Sequence, residues 1–179
     1  MAAEPLASNF CLSTIVLVAL TIPAGVAAED SVSTRFLGSP DGQYKLTLKI
    51  SATEMIGTLQ RLLIPNQTLW QQSVPIGTGF LQGFVTDTGY VLVCNNTELD
   101  SEPVVTALNP QAGVMASYSL NDLAAVLNRS AVELRQTAVS DGWMQGRAEL
   151  VDGRAVSIPL GDGVLLVDTV NGGLTPIFD

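Results

Sequence analysis

The sequence contains no histidine and only two cysteines among its 179 residues. Without histidine the chain cannot build a Ser-His-Asp or Cys-His catalytic triad, nor a histidine-ligated zinc, copper or haem site. Cys11 and Cys94 are too few for a four-thiolate zinc or iron–sulfur site. We therefore predict no catalytic residues, no bound metal and no cofactor, and binding is favoured over catalysis.

Positive charge is scarce as well, because 8 basic residues stand against 17 acidic ones and the formal net charge is −9. The only lysines are Lys45 and Lys49, and the arginines occur singly. Nucleic-acid binding requires a cationic surface that displaces phosphate counterions, and anionic membranes attract basic segments. The composition therefore argues against both kinds of partner.

Residues 1–28 are typical of a secretory signal peptide. Leu12–Ile22 is a short apolar run, and Val26–Ala28 supplies small residues ahead of Glu29. The run is shorter than the about 20 apolar residues that span a bilayer. Because the preceding stretch lacks Lys and Arg, an uncleaved anchor and a buried N-terminal helix stay open as alternatives. We expect export to a periplasmic, lumenal or extracellular compartment, with membrane contact only through an uncleaved N-terminal segment.

The rest of the chain, 29–179, is predicted to be a single β domain, because apolar and polar residues alternate between turn dipeptides. Asp-Gly and Asn-Gly pairs, as at Asp41-Gly42 and Asn171-Gly172, favour tight hairpin turns. The pattern predicts strands at Tyr44–Ile50, Thr58–Ile64, Thr68–Val74, Phe84–Val85, Tyr90–Cys94, Val104–Leu108, Val114–Tyr118, Trp143–Val151, Arg154–Leu160 and Val164–Thr169.

One segment departs from this alternation and predicts a single short helix near 119–134. Apolar residues at 120, 123, 124 and 127 have helical spacing, and Ser119 is a suitable N-cap with Asp122 three residues on. The predicted fold class is therefore mainly β, either an antiparallel meander or sandwich or a partial propeller-like sheet, with one short helix.

A weak internal repeat places an Asp-Gly or Asp-x-Gly turn before an aromatic residue at 39–44, 86–90 and 140–143. The segments SPDGQYKLTLKI, LWQQSVP, TDTGYVLV and DGRAVSIPLGDGVLLVDTVNGG resemble blades of β-propeller proteins. Closed propellers have four to eight blades, whereas about three units of ~50 residues fit here. The resemblance therefore implies an open sheet, a sandwich, or a partial propeller completed by a partner.

Two groups of residues are candidate binding sites. Trp70, Trp143, Tyr90 and Tyr118 would form a contact patch for a protein or a glycan if they are exposed together, and would otherwise pack in the core. Asp162, Asp168 and Asn171 offer oxygen ligands on loops for a weak calcium site, with ordinary turn chemistry as the alternative, and the EF-hand spacing is absent.

The expected function is that of an exported, non-enzymatic β domain that acts as a binding or accessory protein, alone or as an oligomer. One alternative is a secreted glycoside hydrolase using paired carboxylates from the acid-rich C-terminal third, and the other is a calcium-dependent ligand-binding module. The carboxylates available to a hydrolase are Asp141, Glu149, Asp152, Asp162 and Asp168.

Overall fold

The structure is a computed structural model that describes residues 32–63, 65–76, 81–96 and 103–178. The predicted signal peptide or anchor over 1–28 and Ile64, the last residue of a predicted strand, lie outside the described residues. The elements in chain order are β1 Ser33–Gly38, β2 Tyr44–Ile50, β3 Met55–Arg61, β4 Gln67–Ser73, β5 Leu81–Val85, β6 Val91–Asn95, β7 Val105–Leu108, β8 Val114–Tyr118, α1 Leu120–Val126, α2 Ala131–Ser140, β9 Glu149–Val151, β10 Ala155–Leu160, β11 Gly163–Asp168 and β12 Leu174–Phe178.

The described strands form three antiparallel sheets of four strands each, and within every sheet the strands follow chain order. We call β1–β4 sheet 1, β5–β8 sheet 2 and β9–β12 sheet 3. Each sheet is a small meander, so the arrangement is blade-like, and the predicted mainly-β fold class is confirmed. Strands β2 and β8 have the predicted bounds, and alternation buries Leu46, Leu48 and Ile50 on one face of β2.

Sheet 2 lies in the middle and is covered on both faces. Val91 and Val93 of β6 join a core shared with sheet 1, whereas Leu92 and Cys94 join a second core shared with the helices and sheet 3. Strands buried on both faces are continuously apolar rather than alternating, and β6 has this pattern. Cys94 is fully buried, and burial raises the pKa of its thiol to about 12.

The predicted helical segment contains two helices rather than one. Ser119 caps α1 as predicted, and the reciprocal bonds between Ser119 and Asp122 form a capping box. The helix ends because Asn128 adopts a left-handed conformation with φ 51°, and the chain then starts α2, which continues to Ser140. Both helices pack against the core that contains sheet 3.

Some strand predictions were wrong or incomplete. The predicted strand Phe84–Val85 is only the end of β5, which begins at Leu81. The alternation did not reveal β1 or β12, and only the last three residues of the predicted strand Trp143–Val151 are extended as β9. Residues 143–146 instead dock on other elements, because the Met144 N–H donates to Asn96 Oδ1 at 2.6 Å and the Gln145 N–H to the Pro159 carbonyl at 2.9 Å.

Candidate functional site

The first strands of the three sheets, β1, β5 and β9, are each an edge strand of their own sheet. Arg35 Nη1 on β1 donates to the Leu81 carbonyl at 2.5 Å, and six residues further on the Asp41 N–H donates to Asp87 Oδ1 at 2.9 Å. Both pairs are separated by 46 residues. A constant separation means that β1 and β5 run in the same direction, with the hairpin turns that follow them at the same end.

Gln82 ties β5 to the segment that leads into β9. Its Oε1 accepts from the Ala148 N–H at 2.9 Å, and its Nε2 approaches the Gly146 carbonyl at 3.5 Å. At the end of the strands where the hairpin turns lie, Gly153 is close to the Asp87 turn. A Cβ atom on Gly153 would be 3.9 Å from Asp87 Oδ2. All three first strands therefore share one direction, and their turns converge.

This convergence shows that the turn of the third repeat unit was predicted at the wrong place in the chain. In place of the Ser140-Asp141-Gly142-Trp143 motif, the turn equivalent to those of Asp41 and Asp87 contains Asp152 and Gly153, between β9 and β10. Gln82 and Ala148 are 66 residues apart, compared with the separation of 46 between the first two sheets. The longer interval arises because α1 and α2 are inserted between sheets 2 and 3.

A groove opens between the first strands. Its larger part has a volume of about 390 Å³ and is lined by Arg35, Leu37, Leu48, Leu81, Gln82, Gly83, Phe84, Gly146 and Arg147. A second part of about 350 Å³ continues towards Pro40, Glu149 and Leu150. Leu37, Gly83, Phe84 and Arg147 line both parts. Its size is within the range of about 300–1,000 Å³ that is usual for ligand pockets.

Gly83 is the residue that lets β1 approach β5 so closely. A Cβ at this position would overlap the Leu37 side chain, so Leu37 packs directly over the β5 backbone. Together with Phe84, which packs against the core shared with sheet 3, Leu37 gives the groove an apolar floor. The first strands thus form an apolar surface in a groove that is open to solvent.

Two arginines line this groove in an otherwise acidic chain. Arg147 is exposed and makes no hydrogen bond or ion pair with any residue that the structure describes, whereas Arg35 is bonded to the Leu81 carbonyl. Glu149 is the acidic residue on the lining of the second part. The carboxylates of Asp41, Asp87 and Asp152 lie beyond it, in the hairpin turns that follow the first strands.

The aromatic residues proposed as a contact patch are not brought together. Trp70 is buried in the core between sheets 1 and 2, and Trp143 is buried in the other core, where its Nε1 donates to the Asn95 carbonyl at 2.5 Å. Tyr118 is half-buried, and its hydroxyl donates to the Gly172 carbonyl at 2.8 Å. Tyr90 is half-buried behind the Asp87 turn. Neither tryptophan offers a ring face to a ligand.

The loop oxygens proposed for calcium are engaged within the chain. Asp162 forms an ion pair with Arg129, Asp168 Oδ2 accepts from Arg154 at 2.8 Å, and Asn171 Oδ1 accepts from the Gly173 N–H at 2.6 Å. Burial alone would raise the pKa of Asp168, but Arg154 and the Val170 N–H outweigh it and lower that pKa. Over the described residues, no three Asp, Glu or Cys side chains are grouped to hold a metal ion.

The carboxylates considered for sugar hydrolysis are also dispersed. Asp141 Oδ2 accepts from the Ser140 hydroxyl at 2.8 Å, and Asp152 occupies its turn with φ 50°. Asp162 borders a different shallow depression beside Arg129. Of this group only Glu149 lines the groove.

Sequence reasoning missed the groove residues Arg35, Leu37, Gln82 and Arg147, which are far apart in the chain and converge only by packing. One signal was available, because a glycine inside the strand Leu81–Val85 indicates close approach of another segment.

Comparison with protein-family models gives no match, and comparison with curated proteins gives none either. No helix within the described part of the chain has the length and apolar character needed to cross a membrane.

Proposed function

We propose that the chain is an exported, non-enzymatic binding protein whose ligand lies in the groove between β1, β5 and residues 146–150. The observation that carries this proposal is the groove itself, which is lined from three separate sheets at their first strands. Binding residues are commonly placed on a firm scaffold of this kind, with an apolar floor and a few convergent polar groups.

We further propose that the three sheets are blades of an incomplete propeller-like array. In this interpretation β1, β5 and β9 are the inner strands, and the groove occupies the place of a central channel. Closed propellers need four to eight blades, so an array of three leaves this channel open on one side. A ligand or a protein or glycan partner therefore has direct access to the groove.

Export is proposed from the sequence of residues 1–28, which lie outside the described residues. N-terminal sequencing of the protein recovered from its native source tests it. Export with cleavage gives a mature chain that begins at Glu29. A chain that starts at Met1 and stays in the cytosol would contradict it, whereas one held at a membrane would indicate the uncleaved anchor.

Binding at the groove is tested by thermal unfolding of the full chain with panels of small anions, neutral apolar compounds and oligosaccharides. A ligand that binds only the folded state raises the melting temperature. We expect a rise with at least one panel that is lost in Leu37→Trp, which fills the groove. Phe36→Trp is the matched control, because Phe36 is on the other face of β1 and 64% exposed.

Turnover assays on the same oligosaccharides separate binding from catalysis. We expect no hydrolysis, and we expect any melting-temperature increase to be indifferent to Asp→Asn changes at 141, 152, 162 and 168. Hydrolysis that depends on one of these aspartates would overturn the proposal in favour of a glycoside hydrolase. A melting temperature that rises with calcium and falls with a chelator would favour the calcium-dependent module instead.

A further inference from the structure

The charge distribution of the groove differs from that of the chain as a whole. The chain has a net charge of −9 and only 8 basic residues, yet Arg35 and Arg147 both line the larger part of the groove. Among the residues that the structure describes, none of those lining that part is acidic. Because the net charge of the chain is negative, a cationic side chain such as Arg147 in the groove favours anions there over most of the surface.

Arg147 is the cation best placed to bind a ligand. It is exposed, it lines both parts of the groove, and no described residue accepts a hydrogen bond from it. A guanidinium group offers up to five N–H donors in a planar fork that matches the oxygens of a carboxylate, sulfonate or phosphate. Binding an anion there does not require an existing ion pair within the described residues to be broken.

The rest of the lining is suited to the apolar part of a ligand. Leu37, Leu48, Leu81 and Phe84 form the walls and floor beside the guanidinium groups. An anionic group held by Arg147 would place an attached ring or short hydrocarbon against this surface, where burial of apolar area contributes to affinity.

Size and charge also restrict the ligand. A volume of about 390 Å³ fits a small molecule, and the carboxylates of Asp41, Asp87 and Asp152 in the turns beyond the groove would repel a long polyanion that continued along it. Two arginines are also fewer than nucleic-acid binding requires. The lining therefore favours a compact molecule with one anionic group.

We infer that the groove selects small amphiphilic anions, with the anionic group bound by Arg147 beside Arg35 and the apolar body packed on Leu37 and Phe84. This inference rests on the proposed function and specifies its ligand class.

A matched pair of fluorescent probes tests the inference on the full chain. 1-Anilinonaphthalene-8-sulfonate and N-phenyl-1-naphthylamine share one ring system and differ by the sulfonate. We expect the sulfonate to bind more tightly, to displace the neutral probe, and to lose affinity as salt is raised. Arg147→Gln should raise the Kd of the sulfonate by about tenfold, Arg147→Glu should raise it further, and neither should change the Kd of the neutral probe.

Lys49→Gln is the charge-matched control, because Lys49 is exposed on the outer face of sheet 1 and its removal lowers the net charge equally. It should leave both Kd values unchanged. Leu37→Trp should weaken both probes, whereas Phe36→Trp should weaken neither. Circular dichroism and the melting temperature establish that each variant is folded.

The possible failures are distinguishable. If both probes compete for one site and Leu37→Trp weakens both, but Arg147→Gln and Arg147→Glu change neither, the groove binds ligands and the anion inference is wrong. If the probes do not compete and neither responds to Leu37→Trp or to the Arg147 variants, the groove is not a binding site. The proposed function then fails together with the inference.

Discussion

The backbone N–H of Asp41 donates to the Asp87 carboxylate over 2.9 Å and joins the first hairpin turn of sheet 1 to that of sheet 2. At the other end of the same strands, Arg35 donates a hydrogen bond to the Leu81 carbonyl. These two residues are also 46 positions apart in the sequence. These two bonds link β1 and its following turn to β5 and its following turn, with the two strands running in the same direction. The turn motif thus links two sheets as well as reversing the chain.

Replacing Asp87 by alanine removes the acceptor that links these turns. We expect a loss of about 1 kcal/mol in the free energy of unfolding, because one hydrogen bond to a charged but exposed group is lost. Asp87→Asn keeps an acceptor oxygen and should lose less. Urea denaturation of the two variants measures the difference, and equal losses would mean that the bond does not stabilise the pair of sheets.

The two tryptophans provide a matched test of one buried hydrogen bond. Trp143→Phe removes the Nε1 donor to the Asn95 carbonyl, whereas Trp70 Nε1 has no hydrogen-bond partner in the described structure. Both changes remove the same side-chain volume. We expect Trp143→Phe to lower the free energy of unfolding by about 1–3 kcal/mol more than Trp70→Phe does. Denaturant unfolding measures both, and a larger loss for Trp70→Phe would contradict the assignment.

The helix caps allow a similar comparison. The Ser119 hydroxyl accepts from the Asp122 N–H at the start of α1, whereas Ser130, the N-cap of α2, makes no such bond with its side chain. Ser119→Ala should lower the free energy of unfolding by about 1 kcal/mol, and Ser130→Ala should lower it much less. Thermal or urea unfolding decides between them, and equal effects would show that the capping box contributes nothing.

Stability should fall in acid. A hydrogen bond from the Ser39 hydroxyl, then one from the Gln43 N–H, lowers the pKa of Asp41, and Ser119 lowers the pKa of Asp122 in the same way. A carboxylate whose pKa is lower in the folded state stabilises that state above its unfolded pKa of about 3.9. This contribution is lost as the pH falls through the folded pKa. The free energy of unfolding should therefore decrease below about pH 4.

The variant that carries both Asp41→Asn and Asp122→Asn tests the assignment. It lacks both titrating groups, so its stability should depend less steeply on pH below about 4 than that of the natural chain. Urea denaturation at a series of pH values makes the comparison. Identical pH profiles for the two proteins would place the acid sensitivity on other carboxylates.

Local sequence patterns predicted much of the fold, and their failures have physical causes. Alternation identified β2 and β8 with their bounds, and the Ser119 cap located the start of α1. Strand β1 was missed because its mixed residues are mostly exposed, and β12 because Pro176 argues against a central strand. Proline is accommodated there because β12 is an edge strand.

The groove was beyond the reach of local patterns. Arg35 is on β1, Gln82 is on β5 and Arg147 precedes β9. Nothing near them in the sequence indicates that they line one groove. The repeat was aligned correctly between the first two sheets, but the inserted helices displaced the third turn from Asp141 to Asp152. Arg147 precedes β9, in the segment that Gln82 joins to β5 by hydrogen bonds to Gly146 and Ala148.

The position of a bound ligand tests the proposed binding site most directly. Two-dimensional NMR of the full, isotope-labelled chain, titrated with 1-anilinonaphthalene-8-sulfonate, reports it residue by residue. We predict that the largest amide shifts fall in residues 35–38, 81–85 and 146–150, and that Arg147→Gln diminishes them. Shifts concentrated instead on the outer surface of α2, around Val132 and Val139, would contradict the assignment of the groove as the binding site.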